Sequence, residues 1–424
     1  MKAPNLIPHP RTEALAPSAT LAINERSREL ADTGKEVFWF GLGQSPFPVP
    51  EVVVEALRNN AHQKDYLPVR GLIPLREAIR AWFLRRYKLD FDVKNILIAP
   101  GSKELLFLLQ MALNARLMLP APSWVSYHPQ SRMAGNPTVW IQTSERDEWC
   151  LTAQALRVAC EGLADMETGL LLLNYPNNPT GKTYSAVQLQ ELASVAREFG
   201  LVIVSDEIYG EVDHRGAHAS IASYYPEGTL ITTGLSKWCG AGGWRLGVAA
   251  LPESMAGLAD AVASMASETY TSTSAPIQYA AIQAFSEDPS LNDYLARSRA
   301  VLTQVERFVR EQLTACGLTM PRGEGGFYLF VNFECYREKL GLRGICDSDS
   351  LAEQLLLETG FATLPGTAFG RVADELLLRL SYVDFDGALA LEHAYELSDA
   401  EVFANVCPRV KRAMTKVSHW LKAL

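Results

Sequence analysis

Between residues 232 and 247 the chain reads T-T-G-L-S-K-W-C-G-A-G-G-W-R-L-G, with Lys237 and Arg245 as its only charges. Two cations this isolated, set among glycines between apolar runs, need an anion or an electrophile to answer to. A lysine amine can form a Schiff base with an aldehyde, and a guanidinium can hold a phosphate. A surface loop whose cations face water is the competing reading.

Other segments carry residues of similar promise. Pro100-Gly101-Ser102-Lys103 opens an apolar helix. A glycine, a hydroxyl and free amides at a helix start suit a phosphate, with a plain Ser cap as the alternative. Trp124, in Pro122-Ser123-Trp124-Val125-Ser126-Tyr127, can stack on a planar ring or fill core. The Asn177-Asn178-Pro179 turn holds an amide side chain rigidly. In Ser205-Asp206-Glu207-Ile208-Tyr209 a carboxylate ends a buried run. That is costly unless a cation or a protonated ring nitrogen meets it. Tyr209 can bond the same ligand. Further on, Arg379 interrupts an apolar strand, and a buried guanidinium needs a carboxylate partner.

Single positions exclude several familiar sites. Pro46 stands where a dinucleotide fingerprint starting at Gly41 needs its third glycine, and Pro176 where a P-loop ending at Gly181-Lys182-Thr183 needs its first. Trp238 occupies the last glycine of a nucleophile elbow around Ser236. His214 and His218 are four apart with Gly216 between them and no third ligand, so no metal is expected.

Strands must position these residues. From 50 to 285, helices at 52–60, 73–86, 103–113 and 186–199 alternate with apolar runs at 96–99, 117–119, 139–142, 170–174, 201–205, 230–233 and 247–251. Such runs predict an α/β fold with a mostly parallel seven-stranded sheet sandwiched by helices. Ligands of such sheets sit at the carboxyl ends of the strands, where the candidate residues fall. A helix over 20–33 stopped by Gly34, then a strand over 37–40, leads into Gly41-Leu42-Gly43. The last third predicts a smaller α+β domain with a long helix to about 316, strands near 326–333 and 376–382, and a helix at 349–359. Ser398-x-x-Glu401 reads as a capping box. Apolar residues at 410, 414, 417, 421 and 424 form a helical stripe, with the basic residues opposite facing water. The expected division is an N-terminal arm and small-domain segment over 1–49, a large domain over 50–285 and a small domain over 286–424.

Composition narrows the class. In 424 residues, 48% are hydrophobic and 21% charged, ordinary for a soluble globular protein. A net charge of −9 argues against a nucleic-acid surface. No apolar run approaches the ~18–20 residues of a membrane span. The first residues lack the apolar core of a secretion signal. Seven cysteines without a C-x-x-C pair fit a reducing compartment. A cytoplasmic protein with neither nucleic-acid nor membrane partners is expected.

A phosphate cradle, a stacking aromatic, an Asn, an Asp, a Tyr, a Lys and an Arg after the strands of one sheet describe a pocket for a phosphorylated aromatic aldehyde. Y-L-P-V-R-G at 66–71, P-N-N-P-T-G at 176–181, S-D-E-I-Y at 205–209, S-K followed by G-W-R-L-G, and P-G-T-A-F-G at 365–370 complete the pattern. In these motifs the chain resembles the class I/II aminotransferases, pyridoxal-phosphate enzymes of fold-type I, nearest to the aspartate/aromatic subgroup. The resemblance runs from Pro17 to Tyr382. It implies that Lys237 forms the Schiff base with pyridoxal 5'-phosphate. Asp206 is implied to pair with the pyridine nitrogen, Asn178 and Tyr209 with the phenolic oxygen, and Trp124 to stack on the ring. Gly101, Ser102, Lys103, Ser236 and Arg245 match positions around the phosphate. Tyr66 matches a tyrosine that reaches the neighbouring subunit's phosphate, implying a homodimer with shared sites. Arg379 is implied to pair with the substrate α-carboxylate, assisted by Asn178 and the Gly43 backbone. Lys103, with Ser18 and Thr20, resembles a set that receives a side-chain carboxylate.

The implied activity is ping-pong transfer of an amino group between an L-amino acid, aspartate/glutamate or aromatic, and a 2-oxo acid. A lyase using the same coenzyme is the alternative, marked by pyruvate and ammonia released without a keto-acid acceptor. A regulator with such a ligand domain would need an added DNA-binding domain, for which the arm before residue 20 is too short. Departures from the family pattern are Ala241 and Gly242 in place of Met and Thr, a shortened turn before Leu117, and a C-terminal extension.

Overall fold

The computed structural model describes His9, Pro10, Leu15, residues 18–164 and residues 167–424. Most of the expected arm therefore lies outside the described residues. Seven strands form the larger sheet: β1 (Ile96–Ala99), β2 (Arg116–Ala121), β3 (Thr138–Gln142), β4 (Gly169–Asn174), β5 (Val202–Asp206), β6 (Thr229–Gly234) and β7 (Gly247–Ala250). Their order is β1-β7-β6-β5-β4-β2-β3. Pairs β2–β3, β2–β4, β4–β5 and β5–β6 are parallel, and only β7 runs against its neighbours.

Alternation along these strands feeds two cores. Leu97, Leu117 and Leu170 pack with Leu105 and Leu109 of the helix Ser102–Ala112. Met118, Leu171 and Ile203 pack on the other face with Leu189 and Leu192 of the helix Ala186–Glu198. Both faces are apolar because both are covered, which is why the strands read as unbroken apolar runs.

Register sets the site. Asn174 pairs with Asp206 and Asp206 with Thr232, so three polar residues stand abreast at the carboxyl ends of β4, β5 and β6. Ala99, Gly247 and Gly234 stand abreast across β1, β7 and β6, keeping that edge free of bulk.

A second, antiparallel sheet of order β8-β10-β9 joins β8 (Tyr328–Asn332), β9 (Leu364–Pro365) and β10 (Leu377–Ser381). Arg379 on β10 lies opposite Phe330 on β8 and Leu364 on β9. Long helices at Pro289–Thr314, Ser348–Thr359 and Pro408–Lys422 accompany this sheet. Among the described residues no helix is long and apolar enough to cross a membrane.

Three expectations are corrected. The strand over 37–40 is reduced to one bridge, Phe38 to Phe361. The Trp39 amide donates to the Asp384 carboxylate instead of a neighbouring strand, so no ladder propagates. The cap of the helix Ala400–Val406 is Asp399, not Ser398. The Asp399 carboxylate accepts from the amides of Glu401 and Val402, which leaves Ser398 outside the helix. In Pro408–Lys422, Val410, Met414, Val417 and Leu421 are buried as the stripe requires. Its basic residues do more than face water: Arg409 pairs with Asp384, and Arg412 and Lys416 with Glu36.

Candidate active site

Asp206 closes β5 and is buried. Its carboxylate accepts from Tyr127 Oη at 2.6 Å, Thr232 Oγ1 at 3.2 Å and the Ile208 amide at 3.4 Å. All three donors are neutral, and burial pushes the carboxyl up to about 6 despite them. An anion held this way wants a cation at its open edge.

Lys237 follows β6 and is half-buried, its Nζ donating to the Gly43 carbonyl at 2.6 Å. Burial, followed by the positive charge of Arg379, pushes the amine down to about 8, with Asp206 acting in the opposite direction. A neutral nucleophile and base is thereby within reach near neutral pH.

The anion cradle lies at the start of the helix Ser102–Ala112. Gly101 occupies the cap position at φ +96 and no side chain caps the helix, so the plain Ser cap is excluded and the first amides stay available. Space there is tight. A Cβ at Gly101 would stand 2.1 Å from Arg245 Nη2, and one at Gly247 would stand 2.1 Å from the Ser102 amide nitrogen. Arg245 is exposed, adopts φ +55, and donates to the carbonyls of Gly242 at 2.9 Å and Pro100 at 3.3 Å. Lys103 lies 4.9 Å from the centre of the Trp124 ring, and burial lowers its amine.

Arg379 enters from the second sheet, fully buried. One Nη donates to the Gly41 carbonyl and the other to Asn178 Oδ1 at 3.3 Å, while Nε has no partner. Its guanidinium carbon is 4.9 Å from the Tyr328 ring and 5.4 Å from the Phe369 ring. The Asn178 main chain is fixed in turn, because Asn174 Oδ1 accepts from its backbone N–H at 2.9 Å. Tyr209 Oη meets Tyr328 Oη at 2.7 Å.

These groups share one cavity of about 420 Å³. Of the residues expected from the sequence, Ser18, Gly43, Ser102, Lys103, Trp124, Asn178, Asp206, Tyr209, Ser236, Lys237, Arg245 and Arg379 line it. Gly101 lies behind Arg245 rather than on the wall. Tyr66 is outside and 88% exposed. Tyr328, Tyr127 and Asn174 line the cavity without having been singled out for it. Tyr127 lies three residues beyond Trp124, and Asn174 ends its apolar run as Asp206, its ladder partner, ends the next, so both were within reach of the sequence. Tyr328 left no local signal. The two histidines lie elsewhere: His214 Nε2 meets the Gly326 carbonyl at 3.1 Å, and His218 Nε2 meets Glu207 at 3.0 Å.

Comparison with known proteins agrees on a class. A family model described as aminotransferase class I and II matches residues 35–386. An aspartate aminotransferase of Geobacillus stearothermophilus is 34% identical over 405 residues, spanning 92% of this chain and 98% of its own. An aspartate/prephenate aminotransferase of Thermus thermophilus is 32% identical over 380 residues, spanning 88% and 93%. Among solved structures, an aspartate aminotransferase from Thermus thermophilus with maleate aligns with a TM-score of 0.84 at 28% identity, covering 98% of this chain and 100% of its own.

Proposed function

The chain belongs to the class I and II aminotransferases, and from that premise we propose that it exchanges the amino group of an acidic L-amino acid, aspartate or glutamate, with that of a 2-oxo acid. It is a pyridoxal-phosphate-dependent transaminase of fold-type I. The observation that carries the residue assignment is the presence of Lys237 and Asp206 in one cavity, a lowered amine and a buried carboxylate with no ion-pair partner among the described residues.

The residues fit the coenzyme. Asp206 would meet the ring N–H⁺, which its burial among neutral donors leaves wanting. The open helix start with Gly101, Ser102, Ser236 and Arg245 would hold the phosphate. Trp124 would cover the ring, and Asn178 and Tyr209 would meet its phenolic oxygen. When bound, pyridoxal phosphate supplies an electron sink that makes the substrate Cα–H acidic. Lys237, in its neutral form, would take that proton and return it, a form that a pKa lowered to about 8 brings within reach. Arg379 has an unpaired Nε and no carboxylate partner among the described residues, and would receive the substrate α-carboxylate with the Gly43 backbone assisting. Lys103, with Ser18 and Thr20 on the same cavity, would receive the side-chain carboxylate.

Amino acids added singly to the coenzyme-loaded protein test this, because conversion of the coenzyme to its amine form reads one half-reaction. Asp and Glu should convert it fastest. Lys103→Ala should slow Asp and Glu at least tenfold while sparing Phe and Ala. An equal loss for all four would overturn the carboxylate role.

The exposed Tyr66 supports a homodimer in which it completes the neighbour's site. A monomeric mass at assay concentration would defeat that reading. The proposed location is the cytoplasm, testable by fractionation, and the proposed domain boundaries are 49/50 and 285/286, testable by limited proteolysis.

A further inference from the structure

The hydroxyl of Tyr328 stands where three parts of the site meet. Tyr328 opens β8, while Tyr209 follows β5 in the other sheet, and their hydroxyls are 2.7 Å apart with the rings nearly perpendicular at 83°. Arg379 lies on the same face of the second sheet, since Arg379 pairs with Phe330 and Tyr328 is two residues before it. The arginine's guanidinium therefore covers the Tyr328 ring at 4.9 Å. Residue 43 has to be glycine for this arrangement, because a Cβ there would lie 2.0 Å from Tyr328 Oη. That glycine's carbonyl is the one that holds Lys237.

Two phenols sharing one hydrogen bond use a single proton between them, leaving the other free. The phenol nearer a cation is the better donor. Either hydroxyl can donate; Arg379 stands 4.9 Å from the Tyr328 ring and Lys237 5.5 Å from the Tyr209 ring, and the closer cation favours Tyr328 as the donor to Tyr209 Oη. Tyr209 then has one lone pair occupied and its own O–H directed away from Tyr328.

We infer that Tyr328 is a positioning residue of the transaminase site, its hydroxyl orienting Tyr209 so that the Tyr209 proton points into the cavity. This rests on the coenzyme reading above, in which Tyr209 donates to the ring's phenolic oxygen. It also places the second sheet, through one hydroxyl, in contact with the group that tunes the lysine–coenzyme linkage.

Tyr328→Phe tests this, since it removes one oxygen and keeps the ring. The measurement is the pH midpoint of the visible absorbance of the lysine–coenzyme linkage in the loaded protein. A donor on the phenolic oxygen favours the unprotonated linkage, so a misdirected donor raises the midpoint. Tyr328→Phe should raise it by about half a pH unit, and Tyr209→Phe should raise it further. The double variant should match Tyr209→Phe alone, because Tyr328 acts through Tyr209. An unchanged midpoint in Tyr328→Phe, or an equal added shift in the Tyr209→Phe background, overturns the inference. A wild-type chain that develops no visible band on adding coenzyme instead defeats the coenzyme reading and this inference with it.

Discussion

At the scale of single residues, burial against weak compensation is the recurring theme, and Asp206 states it most plainly. Its folded value of about 6 lies above the ordinary 3.8, so below pH 4 both folded and unfolded chains carry the proton and burial costs little. As pH rises from 4 to 6 the unfolded chain loses its proton first, and stability falls. Above 6 the full cost is present. Asp206→Asn should therefore stabilise the coenzyme-free protein above pH 6, by at most about 3 kcal/mol for two pK units. The gain should vanish below pH 4, with urea unfolding against pH as the measurement. The same variant should lose most turnover. Lys237 and Asp206 were legible because Asp206 ends one apolar run and Lys237 stands just past another, and sheets bring such ends together. Tyr328 was not: its partner Tyr209 is 119 residues away, in the loop after β5 of the other sheet, and only tertiary packing joins them.

Among elements, the start of the helix Ser102–Ala112 against β7 is the most exacting contact. Gly247→Ala would drive a methyl to 2.1 Å from the Ser102 nitrogen and 2.2 Å from the Gly101 carbonyl carbon, both main-chain atoms. The helix start must then shift, and coenzyme affinity should fall at least tenfold in a spectroscopic titration. Gly257→Ala is the control, since a Cβ there meets nothing within 4 Å and the residue is not on the cavity wall, so affinity should hold. The apolar runs disclosed all seven strands of the larger sheet, because strands covered on both faces need no polar alternation. Where side chains compete for the backbone the sequence misled: the Asp384 carboxylate takes the Trp39 amide, and Asp399 caps the helix expected to start at Ser398.

For the molecule as a whole, distant segments close around residues 36–43. Arg409 on the last helix donates to the Val37 carbonyl at 2.6 Å and pairs with Asp384, while Arg412 and Lys416 hold Glu36. That anchored segment leads to Phe40, whose carbonyl accepts from the Ser381 amide at 2.8 Å, and then to the Gly41 and Gly43 carbonyls that hold Arg379 and Lys237. Arg409→Ala should raise KM for the amino acid several-fold while the visible coenzyme band persists. An unchanged KM would confine the helix to stability alone. The stripe on this helix was legible as a packing face, but its basic residues bond to Asp384, 25 positions away, and to Val37 and Glu36, 372 and 376 positions away, separations that leave no local periodicity.

The cations of the cavity are tethered by dipoles rather than by charges. Lys237, Arg245 and Arg379 all donate to main-chain carbonyls, and with Lys103 they share the cavity with one carboxylate among the described residues, Asp206. Carbonyls satisfy geometry without cancelling charge, so the cavity acts as an electrostatic sink for small polyanions. Inorganic phosphate and short dicarboxylates should compete for it before any chemistry begins. Turnover in phosphate buffer should accordingly fall below that in an amine buffer of equal ionic strength, most of all in preparations only partly loaded with coenzyme.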